Sequence, residues 1–287
     1  MKRQNTNNKS EIPNPKSQIS NRKSEIPNPK FQIEKNPVLF VGAGPGDPEL
    51  ITVKGQKALM EADLVIYAGS LVPEELLQWT RSDIRTFSSA SMHLDEIIAE
   101  MQSAHADGKR VVRLHTGDPS LYGAVYEQMS ELSKQGIPSI IIPGVTAAFA
   151  AAAALGIEYT LPEVSQTLIL TRMAGRTPVP QRENLASLAQ HQSSMAIYLS
   201  ISMVDEVAGI LADAYGESST CAVVYRASQP EQKIIITRLK DLGKDIRTAN
   251  ITKQAVIVVG RTLEIDIDNL RYKSKLYDKK FKHKYRK

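Results

Sequence analysis

The 287 residues are enough for two ordinary domains, each with its own buried core. The net charge of +5 is a property of the ends: residues 1–35 carry 8 Lys/Arg against 3 Asp/Glu and residues 271–287 carry 9 against 1, which leaves 36–270 at −8 and argues against a fold built to grip a nucleic-acid backbone. A lone cysteine, Cys221, excludes an internal disulfide framework and fits a cytoplasmic setting. No apolar stretch is long enough to span a bilayer, and none follows the basic N-terminus closely enough for a secretory signal.

Residues 1–35 hold a direct repeat, KSEIPNPKSQI and KSEIPNPKFQI, with too few apolar groups to bury, and are expected to be a disordered basic extension. From Val38 onward, β-branched runs alternate with helical patterns, the signature of a parallel sheet with crossover helices. Strands are predicted at Val38–Val41, Leu64–Tyr67, Arg85–Phe87, Val111–His115 and Ser139–Ile142. Helices are predicted at Thr52–Ala62, Pro73–Trp79, Leu94–Ala106 and Tyr122–Gln135, and Thr146 is expected to cap the alanine helix AAFAAAAAL. GIEYTLPEVSQ, residues 156–166, reads as a linker. Beyond it, strands are predicted at Thr167–Thr171, Met195–Leu199, Thr220–Tyr225, Lys233–Thr237 and Ala255–Val259, with helices at Asn184–His191 and Val204–Ala214. The expected organisation is α/β: two tandem αβα domains, 36–156 and 157–266, with the active-site cleft between them, and a basic tail from 267 to 287.

Three loops carry the chemistry. VGAGPGDP places Gly42, Gly44 and Gly46 between a strand and a helix, an arrangement that binds anions through free N–H groups. The spacing is G-x-G-x-G, the second strand ends in YAGS with no carboxylate for a ribose, and Pro45 and Pro48 lack donors, so the dinucleotide fingerprint is absent. Taken alone, the loop is compatible with a plain turn, a nucleotide-containing cofactor or another ligand. LHTGDPSLYGA, from Leu114, also leaves a strand for a helix and lies on the same carboxyl edge. LTRMAGRTPVP sets Arg172 and Arg176 on a Pro/Gly loop, suited to a carboxylate-rich ligand. The five histidines show no ligand spacing and no G-x-S-x-G elbow occurs, so neither a protein-bound metal nor a side-chain nucleophile is expected; catalysis by positioning and desolvation is.

In order and at their spacing, VGAGPGDPELITVKG, ADLVIYAGSLVPEEL, SMHLDEI, VVRLHTGDPSLYGA, IPGVTAAFAAAAALG, QTLILTRMAGRTPVP and KQAVIVVGRTLE resemble the tetrapyrrole methylase family over about Val38–Glu264. MHL, HTGDPSLYGA and TRMAGRTPVP are similar to the branch acting on carbon 11 of precorrin-4 or cobalt-precorrin-4 in cobalamin (vitamin B12) synthesis. The resemblance implies methyl transfer from S-adenosylmethionine, with S-adenosylhomocysteine as product, by a homodimer. It places cofactor contacts at Pro45, Thr116, Gly117, Asp118, Leu121, Thr146, Ala147, Leu199 and Ala227. Candidate partners for substrate carboxylates and other polar groups are Asp47, His93, Arg113, Arg172 and Arg176. An Asp after the second strand, a base in some relatives, is replaced here by Ala68 and Gly69, so no fixed base is identified. The alternatives are a relative acting at another precorrin position or on RNA ribose, which the basic tails favour, and a non-catalytic nucleotide-binding protein.

Overall fold

A computed structural model of the chain describes residues 36–274, 281 and 282; the repeat-bearing extension and most of the basic tail lie outside the described residues. In the first lobe β1 (Val38–Gly42), β2 (Leu64–Tyr67), β3 (Arg85–Ser88), β4 (Val111–His115) and β5 (Ser139–Ile142) form a sheet in the order β3-β2-β4-β1-β5, parallel throughout. Strands such as LVIY are apolar at every position because helices cover both faces. On one face Phe40, Ile66 and Val111 pack against α2 (Leu94–Ala106) and α3 (Val125–Lys134). On the other, Val41, Val65 and Leu114 pack against Leu59 of α1 (Val53–Glu61) and Leu76 of a 3-10 segment, Glu74–Trp79, where an α-helix was expected. Each large side chain buried in this way contributes roughly 1.5–3 kcal/mol.

The chain leaves β1 toward α1 on one face and the neighbouring strand β4 toward α3 on the other, and such a reversal opens a crevice beyond the carboxyl ends of the two strands.

The second sheet corrects the expectation of parallel strands. β6 (Leu168–Arg172), β7 (Ser194–Tyr198), β8 (Thr220–Tyr225), β9 (Lys233–Arg238) and β10 (Ala255–Val259) lie in the order β6-β7-β10-β8-β9, and β6–β7 is its one parallel pair. Residues 226–232 between β8 and β9 are too few for a crossover, so these strands pair as a hairpin. Met195, Ile197, Val223 and Ile257 face α5 (Leu185–Ala189), α6 (Val204–Tyr215) and α7 (Leu242–Thr248), the last absent from the predicted elements.

The opposite face of that sheet is covered by α4 (Ala147–Leu155), although this helix follows the last strand of the first lobe. Ala148, Ala150, Ala151 and Ala152 pack on Ala196, Ala222, Val224, Val256 and Val258. Small residues on both sides permit the close approach, and α4 thereby ties the two sheets together. Among the described residues no helix is long and apolar enough to cross a membrane.

Candidate functional site

The wall on the first-lobe side is made of backbone. Gly44 and Gly117 exchange N–H···O bonds of 3.2 and 2.8 Å, joining the loop after β1 to the loop after β4. Beneath that bridge the loop after β5 crosses so closely that a Cβ on Gly144 would stand 2.2 Å from the Gly117 carbonyl oxygen, and one on Gly42 2.6 Å from it. Asp118 ties the loop after β4 to the loop after β5 and steadies its own turn: its Oδ2 accepts from Gly144 N–H at 2.9 Å and its Oδ1 from Ser120 N–H at 2.8 Å.

The glycine loop is therefore not free to cradle a phosphate. Ala43 N–H donates to His115 O, Gly44 N–H to Gly117 O and Asp47 N–H to Ser228 Oγ, while Pro45 and Pro48 have no N–H to give.

The second lobe closes the other side with side chains. Tyr198, at the end of β7, places its hydroxyl 2.7 Å from Thr146 Oγ1 and accepts from Ala148 N–H at 2.8 Å. Thr146 holds the expected cap position of α4, but its hydroxyl turns to Tyr198 and makes no bond to its own helix. Gln229 Nε2 donates to Pro45 O at 3.2 Å and Gln254 Nε2 to Ser70 O at 3.3 Å. Burial raises the pKa of the Tyr198 hydroxyl, so it stays neutral and serves as a hydrogen-bonding group rather than a base.

Between these walls lies a cavity of about 460 Å³, within the usual range of roughly 300–1,000 Å³ for small-ligand sites. Pro45, Thr116, Gly117, Asp118, Leu121, Thr146, Ala147, Leu199 and Ala227, nine positions spread over 183 residues of chain, all line it. Four non-glycine residues of the same wall, Tyr122, Leu199, Arg226 and Gln254, have left-handed backbones with φ of 57, 52, 46 and 54°. Such conformations cost about 1–3 kcal/mol each and cluster where a site is shaped at the expense of local stability.

The five residues proposed for a polar substrate do not converge in the same way. Asp47 lines a wider cavity of about 800 Å³, which shares Ser70, Leu71, Arg226, Gln229 and Gln254 with the first and so continues it. Arg176 is exposed. Arg172 donates to the carbonyls of Met173, Thr177 and Pro178, holding its own loop in shape. His93 is exposed at the start of α2, its N–H bonded to Glu96 Oε2 at 3.0 Å. Arg113 corrects the sequence reading: it is only 5 % exposed and donates to Gln128 Oε1 at 3.0 Å and Ile66 O at 3.3 Å, inside the first lobe.

Sequence reasoning missed Tyr198, Arg226, Gln229 and Gln254, none of which stands in a glycine motif. Among the described residues no group of three or more His, Cys, Asp or Glu is placed to hold a metal ion.

An adenosyl sulfonium donor would fit this lining: Leu121, Ala147, Leu199, Val224 and Ala227 would offer apolar surface to its base, and the Thr116 and Thr146 hydroxyls and the backbone of the close-packed loops would offer polar partners to its ribose and amino-acid end.

Known proteins share this architecture. A cobalt-precorrin-4 C(11)-methyltransferase of Methanocaldococcus jannaschii is 54 % identical over 253 residues, 87 % of this chain and 96 % of that protein. The solved structure of a cobalamin biosynthetic enzyme, a cobalt precorrin-4 methyltransferase, superposes with a TM-score of 0.77 at 46 % identity, covering 79 % of this chain and 95 % of the other. A uroporphyrin-III C-methyl transferase from Thermus thermophilus, solved with S-adenosylhomocysteine, gives a TM-score of 0.65 at 25 % identity over 79 % of this chain and 93 % of the other. Residues 37–243 match the family described as Tetrapyrrole (Corrin/Porphyrin) Methylases, and with relatives this similar over nearly their whole length, the chain belongs to that family.

Proposed function

We propose that this chain transfers the methyl group of S-adenosylmethionine to carbon 11 of precorrin-4 or cobalt-precorrin-4, giving the corresponding precorrin-5 in cobalamin biosynthesis. The observation that carries the reading is the convergence of nine positions, from five loop segments and the start of α4, on one cavity at the meeting of the two lobes. The similar proteins described above as cobalt-precorrin-4 methyltransferases favour the cobalt form.

The donor supplies a methyl already electrophilic on a sulfonium, so the chain's own task is to bind, orient and exclude water. The locked first-lobe loops form a rigid floor beneath the donor, and Leu121, Leu199 and Ala227 remove water from its apolar parts. Tyr198 and Thr146 hold the lobes at a fixed separation. The wider cavity beside Asp47 and Arg226, which continues the first, receives the macrocycle. The electron-rich ring carbon needs no side-chain nucleophile, and Ala68 and Gly69 offer no base. In this reading residues 36–156 and 157–266 are the two domains of a cytoplasmic homodimer, and the protein holds no metal of its own.

The test is incubation of the purified chain with labelled S-adenosylmethionine and precorrin-4, with and without cobalt, followed by mass and carbon-13 spectra. Label at carbon 11 is expected. Label at another ring position, or on RNA in preference to the corrinoid, overturns the assignment.

A further inference from the structure

Arg113 poses a problem that its removal from the substrate site leaves open. It is a cation buried in the first lobe, and no ion pair to it occurs among the described residues. Desolvating a guanidinium without a counter-charge is costly, and an apolar side chain would fill the same space at less expense. What the charge does is orient a neighbour. A guanidinium can only donate, so Gln128, itself 4 % exposed, must turn its Oε1 toward Arg113 Nε. That fixes the amide, and its Nε2 then donates to the Ala124 carbonyl at 3.1 Å.

Ala124 ends a tight turn beside the cavity. Tyr122 and Ala124 are both left-handed, with φ of 57 and 48°, and Gly123 between them lies so near the Pro119 carbonyl that a Cβ there would be 2.3 Å from its oxygen. This turn delays α3 to Val125, three residues after its predicted start at Tyr122. It also carries Leu121 and Tyr122 into the cavity, where the Tyr122 ring meets that of Tyr198 with centroids 5.6 Å apart. Left-handed alanine and tyrosine persist only where the surroundings over-determine them. The Gln128 amide is the buried side-chain tie that grips this turn from the core side.

We infer that Arg113 and Gln128 are a positioning pair: Arg113 sets the Gln128 amide, the amide holds the Ala124 carbonyl, and the turn so held presents Leu121 and Tyr122 to S-adenosylmethionine. The inference rests on the reading of the 460 Å³ cavity as the donor site. Neither residue touches the donor itself.

The test uses the full chain, S-adenosylhomocysteine as the probe, calorimetric titration, and hydrogen exchange of the amides of residues 120–126. Gln128→Glu keeps the acceptor for Arg113 and strengthens it to an ion pair, yet replaces the donor to Ala124 by an oxygen. It is expected to leave the melting temperature unchanged or higher, weaken S-adenosylhomocysteine about five- to tenfold, the worth of one neutral hydrogen bond, and speed exchange in the turn. Gln128→Met, which drops both bonds, should lose the same affinity and also some thermal stability. A purely structural role would move stability and leave the dissociation constant of the folded chain alone. Wild-type affinity and wild-type exchange in Gln128→Glu overturn the relay while the wild-type chain still binds the probe. A wild-type chain that binds no S-adenosylhomocysteine overturns the reading of the cavity, and the inference with it.

Discussion

The two lobes meet at one cavity but build their halves of it differently. The first lobe, parallel and covered on both faces, contributes loops packed backbone to backbone: Gly44 against Gly117, Gly144 against Gly42, Asp118 tied to two N–H groups. The second lobe, with its mixed sheet, contributes side chains that reach across, namely Tyr198, Ser228, Gln229 and Gln254. A floor made of backbone resists deformation but tolerates no added atom, whereas a clamp made of side chains tolerates truncation and loses energy in small steps. The lobes should therefore answer mutation on different scales.

The harshest way to break this contrast is Gly144→Ala. Its methyl would overlap the Gly117 carbonyl and the Gly42 backbone, none of which is the end of a flexible side chain. Overpacking of this kind costs about 3 kcal/mol. Urea denaturation should show that loss together with no measurable S-adenosylhomocysteine binding. A variant that binds normally would mean that the three loops are free to separate and that the floor is not rigid.

A second difference concerns protons. His115, on β4, is 5 % exposed, stacks on Phe40 at 5.8 Å, and its Nε2 lacks a partner. Burial, with the nearby Arg113 charge adding to it, lowers its pKa to about 3. Because the folded value lies below the ordinary one near 6.5, the unfolded chain takes up the proton first. Stability is then fully present above about pH 6.5 and falls as the pH drops toward 3, by up to about 1.4 kcal/mol per unit. Denaturation measured between pH 7 and 4.5 should show this slope, and His115→Gln should flatten it. His191 of the second lobe is exposed, so a slope that survives in His115→Gln would place the proton uptake outside the first lobe's core.

How far each lobe could be read from sequence follows the same division. Close backbone packing demands glycine and proline, so the first-lobe floor left its mark as GAGPGDP, HTGDP and PGVT, and the seven first-lobe positions that the resemblance placed in or beside those motifs, Pro45 to Ala147, line the cavity, joined from the second lobe by Leu199 and Ala227. The side-chain clamp left none: Gln229 and Gln254 are ordinary loop residues until the fold brings them to Pro45 and Ser70. Left-handed Leu199, Arg226 and Gln254 are equally silent, because the usual signal for that conformation is glycine. Strand positions were legible in both lobes, but strand direction was legible only where helices separate the strands. The short 226–232 connection was the available sign of an antiparallel hairpin, and α7, seven residues with a glycine, was too short to show a helical period. Arg113 was misread for want of one step. It shares a face with Val111 and His115 on a strand covered on both faces, which places it under a helix and away from the cleft.

Tyr198→Phe tests the clamp with the loss of one oxygen. Two contacts vanish, to Thr146 Oγ1 and to the Ala148 N–H at the start of α4, and the latter donor is left without its partner. About 1–2 kcal/mol of stability is expected to go, with S-adenosylhomocysteine a few-fold weaker and the ring contact to Tyr122 kept. Abolition of binding would mean that Tyr198 does more than hold the lobes, and the division between rigid floor and forgiving clamp would fail on its second-lobe side.

The smallest expected effect has the opposite sign and uses the same substitution as the largest. Gly209 lies exposed within α6, and a Cβ built on it meets nothing within 4 Å. Here glycine carries only its entropic disadvantage in a helix, so Gly209→Ala should stabilise the chain by about 0.5–1 kcal/mol and leave S-adenosylhomocysteine binding unchanged. If one added methyl strengthens the second lobe at Gly209 and ruins the first at Gly144, the difference cannot lie in glycine as such. It lies in whether another strand of backbone occupies the space that the missing side chain leaves.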